Sequence, residues 1–199
     1  INYVALLGWH GSDNREIYDI IELIDSFSID RIKSSGAIFD IKKLTWFNHQ
    51  YIKTTDSVSL KSIIYESLSQ NWDVTLPMID LLKDSVDSIN EFENQLNPFF
   101  IYSPLKISQD DSLFSDAIYN FLGNLKDKMI IEENNPDQDF KSIVNIIKND
   151  CKVSGNIWKP IRIAVSGREH GPDISQFIQI LGFSECGKRL EQFLSFNVR

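Results

Sequence analysis

The sequence predicts an all-α protein on three observations. Apolar residues recur at three- and four-residue spacing along most of the chain. Alternation of apolar and polar residues never persists beyond a few positions, so no half-buried strand is expected. The gaps between apolar runs carry helix punctuation, with Asp or Ser ahead of a run, Pro in a first turn and Gly after a last one.

The elements follow in order. Trp46, Asn48, Tyr51 and Ile52 share an early helix whose apolar members pack a junction, and Trp9 and Trp158 are also assigned to packing. Asp56 and Ser57 are cap candidates for a helix with Val58, Leu60, Ile63, Ile64 and Leu68 in one stripe. Pro77 suits a first turn, and Ile79, Leu82, Val86, Ile89 and Leu96 continue on a similar face until Pro98 stops the run. Asp111 or Ser112 opens a third helix carrying Leu113, Phe114, Ala117, Ile118, Phe121, Leu122 and Leu125. The turn signal Asn134-Asn135-Pro136-Asp137 precedes a fourth, with Phe140, Ile143, Val144 and Ile147. Two short helices close the chain, one around Phe177 to Leu181 ended by Gly182, the other started by Ser184 with Leu190, Phe193 and Leu194. Breaks fall near residues 54–57 and 103–112. Ser103, Pro104, Ser108, Asp110 and Asp111 make the second break the expected linker between two helical lobes. Helices this short are marginal alone, so mutual packing of their stripes must hold them.

The chain has 199 residues, 42% hydrophobic and 24% charged, with a formal net charge of −8. That length and apolar fraction suffice for one large domain or two small ones. No stretch approaches the roughly 20 apolar residues of a membrane-spanning helix, which excludes a transmembrane protein. The chain starts at Ile1 with no targeting segment, and reads as a piece of something longer. Cys151 and Cys186 cannot staple a fold of this size and point to a reducing compartment, the cytoplasm.

Charge is distributed unevenly. Residues 1–27 carry −4, whereas residues 28–53 carry +3 from Arg31, Lys33, Lys42, Lys43 and Lys53 against Asp30 and Asp40. Residues 54–151 carry −10, and residues 152–199 return to +3. Binding fields are set by local clusters, so an acidic total does not exclude an anionic partner.

No catalytic constellation emerges. His10, His49, His170 and the two cysteines lack metal-ligand spacing. No Walker loop, G-x-G-x-x-G or G-x-S-x-G is present. The pairs Asp110 with Asp111 and Glu132 with Glu133 read as solvated charges. No catalytic or metal-binding residue is assigned, and a binding module is favoured over an enzyme active site.

Two ordered blocks carry a family resemblance. The first is Asn2-Tyr3-Val4-Ala5-Leu6-Leu7-Gly8-Trp9, then Arg15-Glu16-Ile17, then Phe39-Asp40-x-x-Lys43-Leu44-x-Trp46-x-Asn48-x-x-Tyr51-Ile52. The second is Pro160-Ile161-Arg162-Ile163-Ala164-Val165-Ser166-Gly167-Arg168-Glu169-His170-Gly171-Pro172, then Ile180-Leu181-Gly182. Together they resemble bacterial glutamyl-tRNA synthetases downstream of the catalytic KMSKS-type loop, through to the anticodon-binding lobe. The HIGH-type and KMSKS-type signatures of that family are absent here. The resemblance implies a two-lobed helical anticodon-binding region of a class I synthetase. Residues 1–53 would end the stem-contact junction, residues 54–108 form a first lobe and residues 109–199 a second. The parent would join glutamate to tRNA(Glu) through a glutamyl-adenylate, using ATP and Mg²⁺; this piece would need no cofactor, be inactive alone and be monomeric.

The resemblance also implies roles. Arg162 would contact the first anticodon base, Gly171 and Pro172 would present backbone groups to it, and Ile174 would pack on it; a guanidinium fork and a bared turn both suit an unstacked base edge. By their place inside that turn, Arg168 and His170 would either touch phosphate or stack on a base, or serve as a solvated arginine and a capping histidine. Lys42, Lys43 and Lys53 would contact phosphates. Ser85 stands where family members that reject tRNA(Gln) often carry arginine, which implies an enzyme that also charges tRNA(Gln). The rival expectation is a helical protein-interaction module on the same scaffold without RNA binding, its acidic middle serving as a docking face.

Overall fold

The computed structural model describes residues 1–13, 15–34, 36–108, 111–132 and 139–198. It is all-α, as expected. Its helices are α1 (Asn2–Gly8), α2 (Ile20–Ser26), α3 (Ile41–Thr54), α4 (Ser57–Ser67), α5 (Leu76–Leu82), α6 (Glu91–Phe100), α7 (Asp116–Ile131), α8 (Phe140–Asp150), α9 (Trp158–Ser166), α10 (Ile174–Leu181) and α11 (Phe183–Phe196). Short 3₁₀ turns occupy Ile29–Arg31 and Lys83–Ser85, and the one β-bridge among the described residues pairs Trp9 with Ile32. No helix of the described residues is long and apolar enough to cross a membrane.

The caps explain several boundaries. Asp56 accepts from the Ser59 amide and starts α4, while Asp40 and Asp139 each accept two amides to start α3 and α8. Pro77 sits in the first turn of α5, and Gly182, at φ 87°, separates α10 from α11.

Three expected boundaries are corrected. The run from Ile79 to Leu96 is broken after Leu82, although Ile79, Leu82, Val86 and Leu96 are all buried. Local side-chain bonds compete with the helix there: the Ser85 hydroxyl donates to the Leu82 carbonyl, Glu91 accepts from the Asp87 amide, and His49 Nδ1 lies 3.0 Å from the Val86 carbonyl. Pro98 does not stop its run but lies inside α6. Its ring removes one helical bond, yet the carbonyls of Pro98 and Phe99 receive donors from Arg189, and Phe99 packs on Phe177. The third helix starts from Ser115, not Asp111 or Ser112, because Asp111 forms a separate turn that takes the Leu113 amide on its side chain and the Phe114 amide on its carbonyl. Asp110, Glu133 and the turn signal at residues 134–137 lie outside the described residues.

One core runs from Ile52 to Phe193 and draws on α3 through α11. Residues 101–108 cross between the helices before and after them without regular structure, and are fastened rather than free. Asn197 accepts from the Ile107 amide and donates to the Leu105 carbonyl, and Lys106 donates to the Phe196 carbonyl. A second, small core holds Trp9, Tyr18 and Leu23. Buried Asn2 clamps this segment to α3: it donates to the Glu16 carbonyl and accepts from the Tyr18 amide and the Tyr51 hydroxyl. Around that small core Ile1, Val4, Ile21, Ile24, Ile38 and Ile41 are all exposed.

The deepest polar group is Arg189 on α11, 2% exposed. It donates to the carbonyls of Pro98 (2.6 Å), Val165 (3.2 Å) and Phe99 (3.2 Å) and to Glu185 (2.9 Å), so it serves the C-terminal ends of both α6 and α9. Arg189→Met should cost about 3–5 kcal/mol of stability, because it strands those buried carbonyls. Urea unfolding measures it; a loss below about 1 kcal/mol would mean that water or neighbouring donors replace the guanidinium.

Candidate nucleic-acid interface

α9 is built to present Arg162. Pro160 sits in its first turns, Ile161, Ile163, Ala164 and Val165 are buried, and Arg162 remains at the half-buried edge. The helix ends at Gly167, whose φ of 69° and close approach exclude any side chain: a Cβ there would stand 2.4 Å from the Ser103 carbonyl oxygen. The chain then turns through residues 168–172 and enters α10 behind Asp173, which caps it by accepting from the Gln176 amide at 2.9 Å.

This turn is tied down at several points. The Ser166 hydroxyl donates to the Arg162 carbonyl and accepts from the Arg168 amide. Lys159 pairs with Glu169 at 2.9 Å, which holds the Glu169 carboxyl below its usual range. Arg162 Nη1 donates to the Pro172 carbonyl at 2.6 Å, and a Cβ at Gly171 would come within 3.2 Å of that nitrogen, so glycine lets the guanidinium lie against the turn. Arg168 Nη2 donates to Asn94 Oδ1 at 3.0 Å, with Asn97 Oδ1 at 3.5 Å.

The outcome is a shallow depression lined by Arg162, Ser166, Arg168, His170, Gly171 and Pro172 from the second block, with Gln95 and Pro98 of α6 and Ile174 and Phe177 of α10. Pro98, Ile174 and Phe177 are buried and give it an apolar floor. Burial pulls the Arg162 guanidinium below its usual value, with Asp173 opposing, and Arg162 stays cationic. Neither Arg162 nor Arg168 makes an ion pair among the described residues; both are held by neutral oxygens. The guanidiniums are therefore oriented without a direct ion pair among the described residues, and Asp173 offsets part of the Arg162 charge from a distance.

The structure thus brings together Arg162, Arg168, His170, Gly171 and Pro172 of the second block with Ile174 just beyond it. Ser85 is elsewhere, exposed in the 3₁₀ turn that packs on α3. Lys42, Lys43 and Lys53 lie along α3 and do not line the depression. Lys43 pairs with Glu16, and Lys53 with Asp84 at 3.7 Å; both pairs are exposed and therefore weak. Lys42 and Lys43 fall in the first turn of α3, where the helix dipole disfavours cations. The contribution of α6, through Asn94, Gln95 and Asn97, has no counterpart among the expected site residues, and nothing in the local sequence marks it. No group of three or more His, Cys, Asp and Glu among the described residues could hold a metal ion.

Residues 20–194 match the family model described as an anticodon binding domain. The chain is 30% identical over 205 residues to the glutamate–tRNA ligase of Alkaliphilus metalliredigens, covering 96% of this chain and 42% of that one. It is 31% identical over 209 residues to that of Natranaerobius thermophilus, covering 98% and 43%. A solved glutamate–tRNA ligase from Elizabethkingia meningosepticum, in complex with its amino acid, has a similar fold, with a TM-score of 0.84 at 23% identity over 98% of this chain and 40% of that one. The chain spans less than half the length of the curated relatives it matches. With the family model matched across α2 to α11, the chain belongs to the anticodon binding domain family.

Proposed function

We propose that the chain is the tRNA-binding, anticodon-reading portion of a glutamate–tRNA ligase acting on tRNA(Glu). The observation that carries this reading is the depression between α6, α9 and α10, where two guanidiniums that make no ion pair among the described residues stand over an apolar floor. Arg162 uses Nη1 on Pro172, and its remaining hydrogens are available to the edge of an unstacked base. Ile174 and Phe177 beneath offer the apolar contact on which such a base rests.

Affinity would come from phosphates, through Lys42, Lys43 and Lys53 along α3, and specificity from the depression. A junction over 1–53 is supported by the separate small core around Trp9, while the first lobe over 54–108 and the second over 109–199 share one continuous core. The exposed isoleucines of the first segment would then pack against the remainder of a longer protein, a cytoplasmic enzyme that is monomeric. The ligase reaction belongs to that remainder, and this portion would be inactive alone. ATP and Mg²⁺ would serve the ligase reaction in that remainder.

Arg162→Ala should weaken binding of tRNA(Glu) by about 1–3 kcal/mol in a filter-binding assay. The wild-type affinity should fall steeply with salt. An unchanged dissociation constant would remove Arg162 from the site, and a salt-independent weak affinity would favour the protein-interaction module instead.

Ser85 supplies no guanidinium to discriminate at the third anticodon position, and the proposal extends to charging of tRNA(Gln). The chain is expected to bind tRNA(Glu) and tRNA(Gln) comparably; a preference of about tenfold or more for tRNA(Glu) would contradict it.

A further inference from the structure

Gln95 is the one side-chain amide lining the depression, and it is half-buried without a hydrogen-bond partner among the described residues. Its chemistry differs from that of its neighbours. Guanidiniums offer donors alone, which is all that a phosphate requires. An amide adds an acceptor oxygen beside a donor, and a mixed set of this kind matches the Watson–Crick edge of a nucleobase, where donors and acceptors stand side by side.

The placement of Arg168 fits the same partner. Asn94 and Asn97 stand one residue before and two residues after Gln95 on α6, and their amide oxygens hold Arg168 by Nη2. Both are neutral, so they fix the plane of the fork without neutralising it. Nε and Nη1 of Arg168 make no bond among the described residues. A helix from before the 101–108 crossing thereby aims a guanidinium from after it, alongside a free amide, into one small depression.

Resting on the reading that the anticodon loop lies here, we propose that Gln95 is a base-reading residue. Its amide and the Arg168 fork together take the edge of one unstacked anticodon base, with Asn94 and Asn97 as positioning residues that act through Arg168.

The test uses the 199-residue chain and anticodon stem-loop RNAs that differ by a single anticodon base, with dissociation constants measured at several salt concentrations. Gln95→Met, close in shape and without the amide, should flatten the preference at one anticodon position by about tenfold while the salt slope stays at the wild-type value. Arg168→Ala should flatten the preference at that same position, and Asn94→Ala added to it should have no further effect. Should Gln95→Met fail to fold by circular dichroism, Gln95→Glu is judged by the same rule, since it keeps the acceptors and loses the donor. If Gln95→Met keeps every base preference while Arg162→Ala loses one, the role of Gln95 is overturned and anticodon reading stands. A uniform loss across all RNAs with a shallower slope also overturns it, because Gln95 would then serve phosphate binding. A wild-type chain indifferent to every anticodon base overturns both readings.

Discussion

The arrangement depends above all on the buried guanidinium of Arg189. Helices end in unpaired carbonyls, and α6 and α9 both end inside the protein, where water cannot satisfy them. One side chain from α11 serves both ends at once, reaching Pro98 and Phe99 on α6 and Val165 on α9. Glu185, one turn earlier on α11, balances the charge from a partly exposed position. Tyr102 lies under the guanidinium with its ring centroid 5.0 Å from the Arg189 Cζ and donates to the Ala164 carbonyl. Burial pushes the Tyr102 phenol above its usual range, so it remains a donor throughout ordinary pH. Arg189 thus fixes α6 against α9, and the face that α6 turns toward the 168–172 turn follows from it.

That fixed pair of helices gives the depression its character. Arg189 is neutralised and satisfied, whereas Arg162 on α9 and Arg168 in the α9–α10 turn are oriented by neutral oxygens and left charged. The contrast separates a guanidinium that builds the fold from two that are available to a ligand. It also resolves the acidic total. The +3 of residues 152–199 is a local basic cluster within a chain of net −8, and a binding field is set by such clusters rather than by the total.

Much of this is legible in the sequence where one residue decides a local outcome. Asp56 as a cap, Pro77 in a first turn and Gly182 as a terminator each act on their own neighbours. The break at residues 83–90 is not legible, since it contains neither Gly nor Pro and is made by side-chain bonds from Ser85, Glu91 and His49. α9 is hidden for another reason. Ile161, Ile163 and Val165 alternate as a strand would, and over a helix of nine residues this masks the polar positions Lys159, Arg162 and Ser166 that recur at helical spacing. The candidate site divides in the same way. Arg162 through Pro172 form one contiguous block, whereas Asn94 meets Arg168 across 74 residues, a contact that only the packed helices create. Arg189 reads as a surface cation on an amphipathic helix, and its burial follows from the carbonyls of helices far from it in sequence.

The central claim is that the guanidinium of Arg162 meets an anticodon base. A crystal structure of the chain bound to an anticodon stem-loop RNA tests it most directly. One anticodon base should be unstacked, its edge within about 3.2 Å of the Arg162 guanidinium nitrogens and its face over Ile174. An RNA whose anticodon stays stacked and away from the α9–α10 turn, with contacts confined to other surfaces, would contradict it.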